Sequence, residues 1–348
     1  MIVASAPGKA VLSGEYAVLE GAAAIAVAVN RRARVKITQS ADDCHVITAP
    51  GYLSGKWYFG VDRSGNFAWR EALPDASAFA LVEAVWNSLG NTRWPPLSLE
   101  IDTSELCDNA TGLKLGLGSS AAVAVALTAA LKNYCDIDRD VGPAAFSAHQ
   151  LFQRLRGSGI DVAASHEGGL ILYRRAVEKS DRHDAPARQA RQSTGRSIRR
   201  LGWPEGLRYR FLWSGQAADT AGKLAQLGGG AHSDAVHRLA EPAEDVAAAW
   251  SRGDPREILE SYPAYIDALE RFSSVNDLGI FDAGHAGLVN AAADTEVVYK
   301  PCGAGGGDIG IVLGACEHDV KEFCEQASRH KFTVLDLAVD EQGILFAE

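Results

Sequence analysis

Six cysteines in 348 residues include no CxxC pair and no zinc-like spacing. That excludes a cysteine-based metal site or a disulfide scaffold and leaves free thiols in a reducing compartment. A surplus of positive charge is also missing: 34 Lys and Arg stand against 44 Asp and Glu, a formal net charge of -10. General binding to nucleic acid or to anionic membranes is thereby disfavoured, since both reward a basic face. A few local cations can still hold an anionic substrate. No apolar run approaches the length of a membrane span, and the opening MIVASAPGKAVLSGEYAVL lacks a basic region followed by an apolar stretch. The expectation is a cytoplasmic protein without nucleic-acid or membrane partners. Internal repeats and low-complexity tracts are absent too.

What is present suits a globular enzyme. The length exceeds one ordinary core and predicts two domains, and 47% hydrophobic with 22% charged residues is an ordinary globular balance. Ile2 to Ala6 and the alternating, β-branched Ala23 to Ile37 predict strands, with Pro7-Gly8-Lys9 and Gly14-Glu15 read as a turn and a re-entry. A helix is predicted over 74–90 and a strand over 97–101. The glycine loop 112–118 leads into an alanine-rich buried helix from Ser119 to Tyr134, whose two serines suit an N-cap. A helix over 143–155 and a strand over 168–173 follow. Residues 174–206, crowded with Arg, Asp, Ser and Gln, read as a solvated connector. The domains are therefore placed at 1–180 and 207–348, joined by 181–206. The second half opens with a strand at 207–213 and helices between about 218 and 293. A strand at 297–300, a glycine loop, a strand at 309–313, a helix at 317–330 and a strand at 332–339 complete an α+β pattern.

Four segments carry chemistry. In Lys114-Leu115-Gly116-Leu117-Gly118-Ser119-Ser120-Ala121, glycines let backbone N–H groups turn inward, and the following helix adds its positive end. A polyphosphate suits that arrangement, with the serine hydroxyls in reach of a phosphate oxygen or a Mg²⁺ ion. The loop is neither a Walker A loop nor a dinucleotide fingerprint, because no Lys precedes the serines and the glycine spacing differs. Second, Gly303-Ala304-Gly305-Gly306-Gly307 between two apolar strands is long and glycine-rich for a plain connection, which points to close approach of a backbone or a ligand, with the functional reading ahead. Third, Asp161 in Gly157-Ser158-Gly159-Ile160-Asp161 could take or orient a hydroxyl proton, although taken alone it is better read as a helix N-cap. Fourth, Lys9 beside Pro7-Gly8 could reach an anionic substrate; taken alone it is better read as an exposed surface lysine.

Taken in order, Ala6-Pro7-Gly8-Lys9, Gly116-Leu117-Gly118-Ser119-Ser120-Ala121-Ala122 and Gly303-Ala304-Gly305-Gly306-Gly307 resemble the three signature motifs of the GHMP kinases. Asp308 after the third motif, His149 and Gln153 ahead of Gly157, and Trp213-Ser214-Gly215 are similar to the phosphomevalonate kinase branch. The resemblance implies an α+β fold of two domains, the first like domain 2 of ribosomal protein S5 and the second ferredoxin-like, with the site between them. It implies that Lys114, Gly116, Leu117, Gly118, Ser119, Ser120 and Ala121 hold ATP, with Ser120 a contact to Mg²⁺. Lys9 and Asp161 would be catalytic. Lys9, Arg156, Ser158, Gly159, Gly303, Ala304, Gly305 and Gly306 would hold a small-molecule acceptor carrying a phosphate or a hydroxyl, in a monomer or homodimer. Two positions depart from the family pattern: the helix before Asp161 offers Gln150 and Gln153 where some relatives have a metal-binding glutamate, and Cys302 stands where serine is common. Mevalonate kinase, another alcohol kinase, and an inactive ATP-binding sensor are the alternatives.

Overall fold

The computed structural model describes residues 1–347 apart from 63, 65, 76, 91–93, 156, 176–194, 219–221 and 224–232. Strand β1 (Ile2–Ser13) runs antiparallel to the long strand β2 (Ala24–Gln39), and β2 is the axis of the first sheet. Its second half pairs with β6 (Leu97–Asp102), and its first half with β7 (Leu170–Arg175). The sheet extends from β6 through β3 (His45–Ala49), β4 (Leu53–Val61) and β5 (Phe67–Trp69), and from β7 to β8 (Arg196–Leu201). The β3–β5 hairpins have no counterpart among the expected elements.

Pro7-Gly8-Lys9 is not a turn. It continues β1, with the register slipping between Pro7 and Gly8. Pro7 cannot donate to the ladder, so a bulge absorbs it while pairing with β2 keeps the chain extended. A Cβ on Gly8 would lie 2.8 Å from the Leu117 carbonyl oxygen, and the Lys9 N–H donates to that oxygen at 2.8 Å. The first motif thus lies directly on the second.

Among the described residues four α-helices belong to this half. The first, α1 (Ala80–Leu89), starts later than expected because Asp75 accepts the Ser77 N–H in a turn that precedes it. Helix α2 (Ser119–Tyr134) is buried from Ala121 to Leu131, and its alanines let it pack closely on β1 and β2. Helix α3 (Val141–Phe152) ends early, since Arg154 and Leu155 take left-handed backbone angles. Helix α4 (Ile160–Glu167) leads into β7.

The second sheet has strand order β10-β11-β9-β12, from β9 (Arg208–Trp213), β10 (Val297–Pro301), β11 (Ile309–Gly314) and β12 (Thr333–Leu335), and all its pairings are antiparallel. Helices α5 (Ser233–Arg252), α6 (Pro255–Val275) and α7 (His285–Ala292) precede β10, and α8 (Glu317–Arg329) precedes β12. This β-α-β-β-α-β order is the ferredoxin-like arrangement, so the expected α+β fold is present. Residues 196–201, read as part of a solvated connector, form β8 of the first sheet; most of that segment lies outside the described residues. The chain also returns at its end, where β13 (Leu345–Ala347) pairs with β1. One apolar cluster runs from α2 through the first sheet into α5, α6 and the inner face of the second sheet. Among the described residues no helix is long and apolar enough to cross a membrane.

Candidate active site

A cleft of about 290 Å³ opens where β1, the N-termini of α2 and α4, and the β10–β11 loop converge. Lys9, Lys114, Gly116, Leu117, Gly118, Ser119, Ser120, Ser158, Asp161, Gly303 and Ala304 line it. Four expected contacts do not fit that description. Ala121 is buried inside α2, Gly159 packs against Phe146, and Gly305 and Gly306 turn away from the cleft. Gly306 donates to the Ile280 carbonyl at 2.7 Å, and the Lys223 ammonium donates to the Gly305 carbonyl at 2.8 Å. Those two glycines let the loop rest on its support, and the ligand-facing part is Cys302 to Ala304. Arg156 lies outside the described residues.

The anion-binding geometry comes from backbone. Gly118 is the N-cap of α2 in a left-handed conformation, φ 72°, with no side-chain cap, so the expected serine cap is displaced into the first turn. Gly159 plays the same part for α4, φ 81°, again uncapped, which also removes the N-cap reading of Asp161. Two helix N-termini thus face one cleft with donors available for phosphate. A Cβ on Gly116 would lie 2.2 Å from Asp308, and one on Gly118 would lie 2.6 Å from Cε of Lys9. Replacing Gly118 by Ala therefore combines left-handed strain of about 1–2 kcal/mol with displacement of Lys9. The expected result is a loss of turnover on the order of 10²-fold, read from steady-state kinetics, with the thermal midpoint lowered by about a few degrees.

Lys9 extends over the α2 N-terminus, and its ammonium lies 4.0 Å from where a Cβ on Gly303 would be. It therefore joins the second and third motifs rather than standing on the surface. Lys114 sits at the exposed rim with its ammonium 5.3 Å from the centre of the Tyr52 ring. Asp161 accepts the Val162 N–H at 3.0 Å. Asp308 follows the third motif, adopts φ 56° and accepts the Ala218 N–H at 3.0 Å. Burial pushes its carboxyl above the usual range, opposed by that N–H and by Lys9, Lys223 and Lys114.

Residues the sequence did not single out hold the halves together. Glu15, just after β1, is almost fully buried, and its carboxylate accepts from the Lys300 ammonium at 2.6 Å, from Gly303 N–H at 3.2 Å and from the Tyr265 hydroxyl. The Tyr265 oxygen in turn accepts the Gly14 N–H at 2.8 Å, and Tyr16 donates to the Ala304 carbonyl at 2.8 Å. A lysine inside the apolar strand Val297–Pro301 was the signal that a buried partner exists.

Behind the loop, His285 is fully buried between the Tyr299 hydroxyl at 2.8 Å and the Gly307 carbonyl at 3.0 Å. The carbonyl can only accept, so Nε2 carries the proton and Nδ1 accepts from Tyr299. Burial lowers this imidazole from 6.5 to about 4, helped by Lys300 and Lys223 and opposed by the Gly307 bond. Its folded pKa is depressed, so its contribution is complete above about pH 6.5 and is lost as pH falls toward 4. A urea midpoint series across that window should show the loss, and His285→Gln should flatten part of the slope. His45, buried against Phe59 and lowered to about 4 by desolvation, accounts for a remaining share.

For Mg²⁺ the donor set is sparse: no group of three or more His, Cys, Asp or Glu poised for a metal occurs among the described residues. Mg²⁺ commonly takes one or two protein ligands plus substrate phosphates and water, and Ser120 with Asp161 at the same end of the cleft fits that habit.

With this geometry in place, the comparisons decide the family. The family description "GHMP kinases N terminal domain" matches residues 78–169. A phosphomevalonate kinase of Streptomyces sp. (strain CL190) is 32% identical over 338 residues, 90% of this chain and 89% of that protein. The chain belongs to the GHMP kinases. A mevalonate kinase of Pyrococcus abyssi is 31% identical over 185 residues, 50% of this chain and 51% of its own length. Among solved structures, Streptococcus pneumoniae phosphomevalonate kinase in complex with phosphomevalonate and AMPPNP superposes with a TM-score of 0.76 at 22% identity. That match covers 97% of this chain and 100% of the other. The GHMP kinase fold thus extends over both halves of the chain and includes the motif-bearing cleft.

Proposed function

We propose that this GHMP kinase transfers the γ-phosphoryl group of ATP to the phosphate of 5-phosphomevalonate, giving the diphosphate. One observation carries the acceptor: the similarity to a phosphomevalonate kinase spans 90% of the chain, whereas the Pyrococcus mevalonate kinase matches half of it. The acceptor end of the cleft is built in part by Cys302 to Ala304, in the second half, so a match through both halves speaks to the acceptor more than a match to one.

In this reading the nucleophile is already an anion, so alignment and charge cover matter more than proton removal. The N–H groups opening α2 hold the nucleotide phosphates, and those opening α4, with Ser158, face the acceptor. Lys9, between Gly118 and Gly303, neutralises charge on the group in transit. Asp161 orients the acceptor. Mg²⁺, held by the nucleotide phosphates with Ser120 as its protein contact, would offset charge on the phosphate oxygens when bound.

The test is ADP release by purified protein with Mg·ATP and, in turn, 5-phosphomevalonate, mevalonate, galactose and homoserine. Turnover confined to phosphomevalonate is the expected result. Turnover with an alcohol alone would keep the kinase and remove the acceptor; ADP formation with none of the four would remove both.

A further inference from the structure

His149 lies on α3 with its imidazole fully buried. Its Nε2 stands 3.0 Å from the Ser120 hydroxyl oxygen and 3.9 Å from Oδ2 of Asp161. Its Nδ1 has no partner among the described residues. We propose that His149 is a positioning residue for phosphoryl transfer, fixing the Ser120 hydroxyl toward the nucleotide and setting its place relative to Asp161. The proposal rests on the phosphoryl-transfer reading of the cleft.

The competing account is a core histidine buried for packing. His285 displays what that looks like here, with both ring nitrogens paired. His149 instead leaves one nitrogen unpaired in the interior, a cost of about 1–3 kcal/mol that simple packing with an apolar ring would avoid. The other nitrogen is directed at two cleft-lining groups from separate motifs. Gln150, its neighbour on α3, is buried as well, but donates at 2.7 Å to the Gly157 carbonyl and so supports the loop, not the serine.

The tautomer follows from the surroundings. A carboxylate 3.9 Å from Nε2 favours the proton on that nitrogen, and a bare Nδ1 lone pair is a smaller loss in the interior than a bare N–H. Nε2–H then donates to Ser120 Oγ. That occupies one lone pair of the serine and turns its own O–H outward, where a phosphate oxygen is the acceptor on offer, leaving the second lone pair for a cation.

The experiment compares wild type, His149→Phe, His149→Gln, Ser120→Ala and the double variant His149→Phe/Ser120→Ala. It reads kcat, KM, thermal midpoint and the affinity for Mg·AMPPNP by calorimetry. Phe fills the site and removes the unpaired nitrogen, so H149F should keep the wild-type midpoint while kcat falls about 10–100-fold and Mg·AMPPNP binds several-fold more weakly. The Gln amide can reach Ser120, so H149Q should recover most of kcat. Residues acting as a unit are non-additive, and the double variant should be no worse than Ser120→Ala alone. H149F turning over like wild type, H149Q losing as much as H149F, or penalties that multiply in the double variant would each overturn the proposal. If wild type releases no ADP with any acceptor, the functional reading fails separately. AMPPNP affinity then decides: binding unchanged in H149F overturns the positioning role.

Discussion

Replacing Lys9 by Met should lower kcat on the order of 10²–10³-fold while the protein still folds. The side chain runs from β1, beside the register shift at Pro7 and Gly8, along the N-terminus of α2, and its ammonium ends beside Gly303. Its stem is held against Gly118, and Met preserves that apolar stem, so packing is kept and only the charge is lost. The defect should fall on kcat more than on the KM for ATP, because the charge matters most as the phosphoryl group passes between the two substrates. Lys9→Arg should not rescue, since a planar, delocalised guanidinium places its charge and its donors differently from a compact ammonium. A Lys9→Met protein with unchanged kcat would remove the charge-cover role.

The largest stability effect should come from the Glu15–Lys300 pair. Lys300 is 0% exposed and Glu15 5% exposed. Lys300→Met leaves the Glu15 carboxylate buried with only the Gly303 N–H and the Tyr265 hydroxyl. Breaking such a pair from one side costs about 3–5 kcal/mol, because the remaining charge stays buried without its counter-charge. Glu15→Leu/Lys300→Met, with no charge left, should recover more than half of that in urea unfolding. Activity should not recover with it, since the Gly303 N–H loses its acceptor and one of the ties between the third motif and the end of β1 is gone. Equal stability for the single and double variants would refute the coupling.

These two predictions differ in how far the sequence announced them. Lys9, Gly118 and Asp161 were legible because three motifs stand in the order of the GHMP kinases, where an isolated lysine or aspartate carries no such signal, and the structure brings all three to one cleft. Pro7-Gly8 misled, since a Pro-Gly dipeptide favours a turn locally, whereas pairing along β2 keeps it extended. Glu15 and Lys300 are 285 residues apart and meet through the packing of two sheets, which no local pattern encodes. Gly305 and Gly306 were read as ligand-facing because a glycine run signals close approach without saying to what; here Ile280 and Lys223 approach. The final strand was invisible for a similar reason: β13 is three residues long and is defined by its partner β1.

The distribution of thiols offers a use beyond catalysis. Five cysteines are wholly or partly covered, and burial pushes the Cys302 thiol, inside the cleft, up to about 12, where it stays protonated and slow toward alkylating reagents. Cys316 is exposed, just before α8 and two residues past the end of β11. The other end of β11 adjoins Asp308. A maleimide dye should thus attach at Cys316 first, beyond the far end of the strand that leads out of the third motif and about 20 Å from it. The molecule carries its own attachment point for a fluorescent reporter of ligand binding, with no engineered residue near the cleft.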